Sequence, residues 1–354
     1  MKKRSLFILL VCLLLTMTLP TFVGCDRWDH ISFGAYPQTL VTDSAIIGTL
    51  TSAAGELPTA EDSRDWTSYG YYLAGSNDLD YMWYIDLEEG GEKYRGVYFT
   101  CYKPQHTGAE TRLDNTLNLN NSRQDENGYL AGTVYWFKYE PIRWCVLEEA
   151  DGEALLFAES ILDSREYYPA PDSWPEREAL FPHNGGTGYA NNYALSSIRL
   201  WLNDDFYRTA FTAEEQARIL LTTVKNDARS TNPNRNATEW NEGENANACE
   251  DTEDKIFLLS VQEVSTKAYG FESDSPAGVT SRSRLKTATD YALAQGLNTD
   301  TLGANGHGTW WLRSADFLNN HCAGYVTGSG FAEGREVVDE TGCGVVPALR
   351  IKLD

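Results

Sequence analysis

The hydrophobic and polar positions divide the chain into an apolar leader, an irregular polar front and a back half of short strands and helices. Lys2, Lys3 and Arg4 precede an uncharged apolar run over 5–19 that ends at Pro20. That run is shorter than the ~20 residues a spanning helix needs. A basic start followed by a short apolar run is the pattern of a secretory signal. Beyond it, 31–39 (ISFGAYPQT) reads as a strand that stops at a proline turn. Residues 40–70 are polar and irregular, with room for a short helix. The β-branched and aromatic stretches 94–102, 133–137 and 142–147 have strand composition. The apolar run 154–158 follows a Glu149-Ala150-Asp151-Gly152 turn and is expected to pair with the strand before it.

Helices are fewer and carry clearer end signals. Ser196 or Ser197 can cap a short helix bearing Ile198, Trp201 and Leu202. Thr212 with Glu215 forms a capping box, followed by Ala217, Ile219 and Leu220. Ser260 with Glu263 forms a second, whose helix ends at Gly270. Residues 288–295 read as a helix closed by Gly296. The stretch 225–254 is rich in Asn, Asp and Glu and reads as a long surface loop. Residues 322–353 alternate strand-like runs with glycine turns, as a β-meander completing a sheet would. The expected class is α+β: a mixed, mostly antiparallel sheet with a few short helices and long loops.

The leader ends in Phe22-Val23-Gly24-Cys25. This resembles the lipobox of bacterial lipoproteins, with Phe22 an uncommon residue three before the cysteine. The resemblance implies cleavage between Gly24 and Cys25 and a thioether-linked diacylglycerol on Cys25. An ordinary signal peptide or an uncleaved anchor, with Cys25 incidental, is the other reading. The division expected is 1–24 signal, 25–30 tether and 31–354 one domain, elaborated over about 40–130. Removing 1–24 deletes three positive charges and no acidic residue, so the net charge of −22 becomes −25. Such acidity excludes a nucleic-acid partner, which requires a basic footprint. With 42% hydrophobic and 12% aromatic residues the chain can nonetheless bury a core.

Setting aside Cys12 and Cys25, five cysteines remain: Cys101, Cys145, Cys249, Cys322 and Cys343. None has metal-ligand spacing. Export permits disulfides, with Cys322–Cys343 and Cys101–Cys145 as candidate pairs. Five reduced, mostly buried thiols are the alternative.

Several stretches together resemble a large bacterial group, domain-of-unknown-function family 6273. They are FGAYPQT at 33–39, YRGVYF at 94–99, YWFKYEPIRWCVLE at 135–148 and ILDSREYY at 161–168. YANNYALSSIRLWLNDDFYRTAFTAEE at 189–215, DKIFLLSVQEV at 254–264 and TDYALAQG at 289–296 follow. WWLRSA at 310–315 and GVVPALRIKL at 344–353 complete the set. Val346 stands where the family usually has Arg, and Cys322 and Cys343 interrupt stretches that are ordinarily free of Cys. The family supplies no activity; its members are often predicted lipoproteins or cell-wall proteins. The WWLRS strand, the glycine-rich tail and the closing GVxPAL strand are also similar to the C-type-lectin-like fold, which sulfatase-modifying enzymes and several surface receptors share. That likeness is one of fold and does not fix function.

Trp310-Trp311-Leu312-Arg313-Ser314 is the most distinctive run. Strand alternation puts Trp311 and Arg313 on one face, where they are either a stacking surface for a sugar or peptide or a core Trp with an Arg pinning loops. Asp316, Asn319 and Asn320, beside His321, either line a ligand loop after this strand or form a turn. His183 and His307 lie in loops without ligand spacing. The run 239–254 holds seven carboxylates and no base. Ca²⁺ there would need six to eight converging oxygens, and the run has no DxDxDG pattern. There is no GxSxG elbow, no Cys–His signature and no phosphate loop. The spacing of Cys322 and Cys343 matches no copper-oxidase pair. No cofactor is expected, and for the acidic run the two readings are a solvated loop and a bound Ca²⁺.

These readings converge on a lipid-anchored protein outside the cytoplasm, held to the bilayer through Cys25. It is expected to be a non-catalytic module for an extracellular glycan, peptide or protein. The rivals are an enzyme acting on cell-wall or glycan material and a structural protein of the cell envelope.

Overall fold

A computed structural model describes residues 28–69, 81–103, 123–168, 189–226, 249–272, 280–299, 306–316, 319–332 and 334–353. Fifteen strands are described: β1 (His30–Leu40), β2 (Thr67–Ser68), β3 (Met82–Glu89), β4 (Glu92–Phe99), β5 (Tyr135–Ala150), β6 (Glu153–Ala158), β7 (Asp163–Ser164), β8 (Thr222–Val224), β9 (Thr252–Asp254), β10 (Ile256–Leu258), β11 (Trp310–Ala315), β12 (Cys322–Val326), β13 (Gly334–Val337), β14 (Gly344–Val345) and β15 (Pro347–Lys352). The first sheet runs β10-β15-β6-β5-β4-β3-β2, with β1 also on β5. The second runs β13-β12-β11-β14-β7, and β8 pairs β9. Every ladder is antiparallel except β11 with β14. The class is α+β, as the hydrophobic pattern predicts.

The two strands expected around 133–147 are one. β5 runs sixteen residues straight through Pro141. Its pairings explain how a proline is tolerated inside it. Phe137 and Lys138 pair both with β1 and with β4, while Trp144 and Cys145 pair both with β1 and with β6. A strand has two edges, so β1 occupies one and β4 and β6 divide the other. The ladder forks there, and no described strand neighbours Tyr139–Ile142 on the shared edge. Pro141, which lacks an N–H, falls where no ladder bond is required on that edge. β1 likewise continues beyond Pro37 rather than stopping there, with register shifts between Ser32 and Ala35 and between Pro37 and Thr39.

The β3–β4–β5 ladder buries both faces. On one, the helix Ser44–Ala53, capped by Asp43, covers a small core of Leu50, Trp66, Trp83, Tyr94 and Trp136. Gly96 is required beneath Trp136, because a Cβ there would lie 2.8 Å from the indole. The opposite face joins the main core, which extends from Trp28 to Ile351. The second sheet is stitched to the first where Arg313 N donates to Leu259 O (3.0 Å) and Val261 N to Ser314 Oγ (2.9 Å).

The helix signals locate their elements but overstate some lengths. Ser196 caps Ser197–Trp201, which passes through a π turn, Leu202–Phe206, into Tyr207–Ala210. The Thr212–Glu215 box forms, and Glu215 also accepts from Gly34 N on β1. Its helix ends at Arg218, and Ile219 turns extended to bridge Ile351. Ser260 and Glu263 exchange their reciprocal bonds, yet they introduce two 3₁₀ turns rather than a helix, closed by Gly270 at φ +82°. Thr289 caps a helix shorter than expected, Asp290–Ala294. The tail is not a meander in one sheet. β12 and β13 form a hairpin in the second sheet, and β14 runs parallel to β11. β15 then crosses to the first sheet between β6 and β10.

Candidate functional site

The residues singled out as a ligand surface are built into the fold. Trp310 and Trp311 do point to opposite sides, but both sides are covered and both rings are fully buried. Trp310 packs against Phe157 and donates to Arg284 O at 3.2 Å. Trp311 packs against Tyr167 and donates to Arg165 O at 2.8 Å. Arg313 is buried as well. It donates to Leu258 O at 2.8 Å and to Lys225 O at 3.1 and 3.3 Å, and pairs with Glu263. A guanidinium that spends four of its five N–H groups on two carbonyls and a carboxylate ties three segments together and has no two-pronged edge left for a ligand. Asp316 Oδ1 accepts from both Asn319 N and Nδ2, at 2.7 and 3.0 Å. Asn320 O accepts from Asn191 N. Asn191 Nδ2 in turn bonds the carbonyls of Asp316, Asn319 and Cys322. Trp311 and Arg313 thus act as core and clamp, and Asp316, Asn319 and Asn320 form a turn.

Among the described residues, a concave surface lies at the β5 fork. A cleft of about 370 Å³ is lined by Ser32 and Gln38 of β1, by Glu140, Pro141 and Arg143 of β5, and by Glu159, Ser160 and Leu162 beyond β6. Six of these eight side chains can hydrogen-bond, and none is aromatic. Arg143 Nε lies 2.8 Å from Glu159 Oε2, and His30 Nε2 lies 3.8 Å from Glu159 Oε1. Thr39 Oγ1 donates to Glu140 Oε2 at 2.6 Å, and Gln38 Nε2 to Glu140 O at 2.8 Å. The volume is in the range that takes a sugar ring or a short polar segment.

Cys145 Sγ lies 3.8 Å from His30 Nε2, the same nitrogen that faces Glu159. A nucleophile relay needs the two ring nitrogens on different partners, so this trio does not form one. Sequence reasoning missed the cleft because its residues converge from three segments. The one local signal was Pro141 in the middle of a strand-like run.

On the core side, the fork is braced by a ladder of rings and cations. Arg95 Nε and Nη2 each lie 2.8 Å from an Asp86 carboxylate oxygen, and Tyr139 OH donates to Asp86 Oδ2 at 2.8 Å. The guanidinium stacks 4.1 Å from the Tyr84 ring, and Nη1 reaches Tyr291 OH at 3.4 Å. Tyr291 OH shares a 2.8 Å bond with Tyr69 OH. Burial alone would raise the Asp86 carboxyl, but the Arg95 bonds and charge outweigh it and hold the group below its usual range. Deeper in, Lys103 Nζ donates to Ser164 O at 3.0 Å, and burial depresses its ammonium to about 7.

Cys101, Cys145, Cys249, Cys322 and Cys343 are all free thiols, so neither Cys322–Cys343 nor Cys101–Cys145 is bridged. Cys322 opens β12 opposite Val337, and Cys343 precedes β14 with its carbonyl bonded to Arg165 N, so separate ladders hold the two. Cys145 in β5 packs inside the main core, with Cys101 only at that core's margin. Burial raises the Cys343 thiol well above its usual range and pushes Cys322 up to about 12.

Most of the acidic run 239–254 lies outside the described residues, as do Gly24, Cys25 and His183. At its described end, Asp251 pairs with Lys225, Asp254 with Arg199, and Glu253 accepts from Thr223. The expected loop ends as strand β9 rather than as irregular chain. Among the described residues no group of three or more His, Cys, Asp or Glu is placed to hold a metal ion. No described helix is long and apolar enough to cross a membrane.

The family model described as Domain of unknown function (DUF6273) matches residues 151–353, more than half of the chain. The protein belongs to that family. The match begins at the β5–β6 turn, so FGAYPQT, YRGVYF and YWFKYEPIRWCVLE fall outside it. The cleft is therefore shared: Glu159, Ser160 and Leu162 come from the matched part and the other five residues from the strands before it. No curated protein and no solved structure matches the chain.

Proposed function

We propose that the protein is an extracytoplasmic lipoprotein, tethered to the bilayer through a diacylglycerol on Cys25, that binds a polar extracellular ligand in the β5 fork without chemically altering it. The cleft is the observation that carries the binding role. Hydrogen-bonding side chains from β1, β5 and the segment after β6 converge there. Its lining combines donors (Arg143, Gln38) with acceptors (Glu140, Glu159), which suits hydroxyl-rich or peptide-like ligands. Glu140 and Glu159 are already held by Thr39 and Arg143, an arrangement suited to recognition. The C-type-lectin-like likeness belongs to the same proposal. It is supported by the WWLRS strand inside the second sheet and by the closing strand that returns to the first.

A second reading, a structural protein of the envelope, is supported by the complete burial of Trp310 and Trp311, which leaves the most distinctive motif without a surface role. A glycan and peptidoglycan array separates the two. Ligand capture that is lost in Arg143→Ala supports the binding module, and an unresponsive array supports the structural protein. Membrane fractionation tests the tether. Cys25→Ala is expected in the soluble fraction, and its retention in the membrane would overturn the anchor.

A further inference from the structure

We infer that Trp28 is a latch that removes the slack from the lipid tether and seats the β1 end of the domain against the bilayer surface. The inference rests on the Cys25 anchor proposed above. Only Asp26 and Arg27 separate Cys25 from Trp28. Three peptide units of 3.8 Å reach no further than about 11 Å. Trp28 is itself docked. It is 8% exposed, and its Nε1 donates to Tyr269 O at 2.7 Å. Its ring meets Phe271 edge-on at 5.5 Å. The receiving segment is shaped for it. Gly270 sits at φ +82°, and a Cβ on it would come within 2.3 Å of the indole nitrogen. Directly after Trp28 the chain is committed to the sheet: Asp29 O accepts from Val146 N, and His30 pairs Cys145.

Secreted domains on long polar tethers tumble freely above the membrane; this one has no length in which to do so. The Trp28–Phe271 edge must lie within the tether's reach of the headgroups. Ser32, the first residue of the fork cleft, is seven residues from Cys25 and therefore at most about 25 Å from it. The partner surface is the outer face of the bilayer, and the cleft is held where it meets ligands borne close to that face. A domain of charge −25 is repelled by anionic headgroups over a Debye length of about 8 Å, a distance comparable to the tether itself. The latch holds the domain inside that range.

The test uses the full lipidated chain on vesicles of phosphatidylcholine and phosphatidylglycerol, treated with trypsin. The Arg27–Trp28 bond is the first tryptic site after Cys25, and the next Lys or Arg is Arg64. Cleavage at Arg27 requires Trp28 to leave its seat, so release of a domain beginning at Trp28 reports the latch. Release of the wild type is expected to be roughly tenfold slower than that of Trp28→Ala, since proteolysis follows local opening. Gly270→Ala, which pushes against the indole from the receiving side, is expected to accelerate release likewise. Circular dichroism of both variants confirms that the fold is retained, and Trp28→Phe provides a milder variant if Trp28→Ala unfolds. Equal release rates for all folded forms would overturn the latch. Wild-type protein that fails to float with the vesicles before trypsin is added would overturn the anchor instead, and the membrane seating with it.

Discussion

Asp86 and Arg95 face each other across the β3–β4 ladder and meet in a two-point ion pair, each nitrogen–oxygen distance 2.8 Å. The pair organises everything around it. Tyr139 from β5 donates to the same carboxylate, and Tyr84 stacks on the guanidinium. Three strands and the helix Asp290–Ala294, whose Tyr291 OH Arg95 reaches, are thereby referred to one point beneath the β5 fork. Removing one partner leaves the other charged in a dry site, so Asp86→Asn is expected to cost about 3 kcal/mol. Because the Asp86 carboxyl is held low in the folded protein, its contribution is present above the unfolded carboxylate pKa and is lost as pH falls through the folded value. Urea denaturation of wild type and Asp86→Asn across the acid range checks both. A difference between them that does not shrink on acidification would contradict the assignment.

Lys103 gives the same sign of pH dependence from a different cause. Burial depresses its ammonium from 10.5 to about 7. Between those values the unfolded chain binds a proton that the folded chain has released, so stability rises with pH across the interval. The slope from this one group is up to about 1.4 kcal/mol per pH unit. Unfolded-state thiol ionisation acts against it above about pH 8.5. The measurement is therefore the difference between wild type and Lys103→Met from pH 6 to about 8.5. A wild-type advantage that grows with pH is expected, and a flat difference would contradict it.

Arg313 separates clamp from ligand contact. Its planar fork satisfies Leu258 O, Lys225 O and Glu263 at once, and a lysine cannot reproduce that geometry. Arg313→Lys is expected to lower stability by about 2 kcal/mol while leaving ligand capture by the folded fraction unchanged. Calorimetry and binding on the same sample read the two effects. Lost capture at unchanged stability would restore Arg313 to the ligand surface.

The free thiols make a chemical prediction. Alkylation after denaturation without reductant is expected to modify Cys101, Cys145, Cys249, Cys322 and Cys343, whereas Cys343, buried and with its thiol raised, resists labelling in the native state. A pair that becomes reactive only after reduction would identify a disulfide.

What the sequence made legible was local. The Asp151–Gly152 hairpin turn, the Thr212–Glu215 box and the Ser196 cap depend on neighbouring residues, and each is found in place. The Ser260–Glu263 box shows the limit. Its two bonds form, but 3₁₀ turns rather than an α-helix follow, and their closing Gly270 lies against Trp28, 242 positions away in the chain, a contact no local pattern reports. Trp311 and Arg313 fell on the expected strand face, yet no sequence pattern reported that Tyr167, Leu258 and Lys225 would cover it. The fork cleft was hidden for the same reason. Ser32, Glu140 and Glu159 are brought together by register, and register is a property of partners.

The central claim, a ligand-binding module with its seat at the β5 fork, is tested most directly by one array experiment. Residues 26–354 are applied to glycan and peptidoglycan fragments, with and without Ca²⁺, beside the cleft variants Arg143→Ala and Glu159→Gln. Capture of a defined fragment by the wild type, weakened at least roughly tenfold by either substitution, as expected for losing a charge-assisted hydrogen bond, is the predicted result. An array on which the folded wild type captures nothing in either condition, or captures a fragment equally well with both variants, would contradict it.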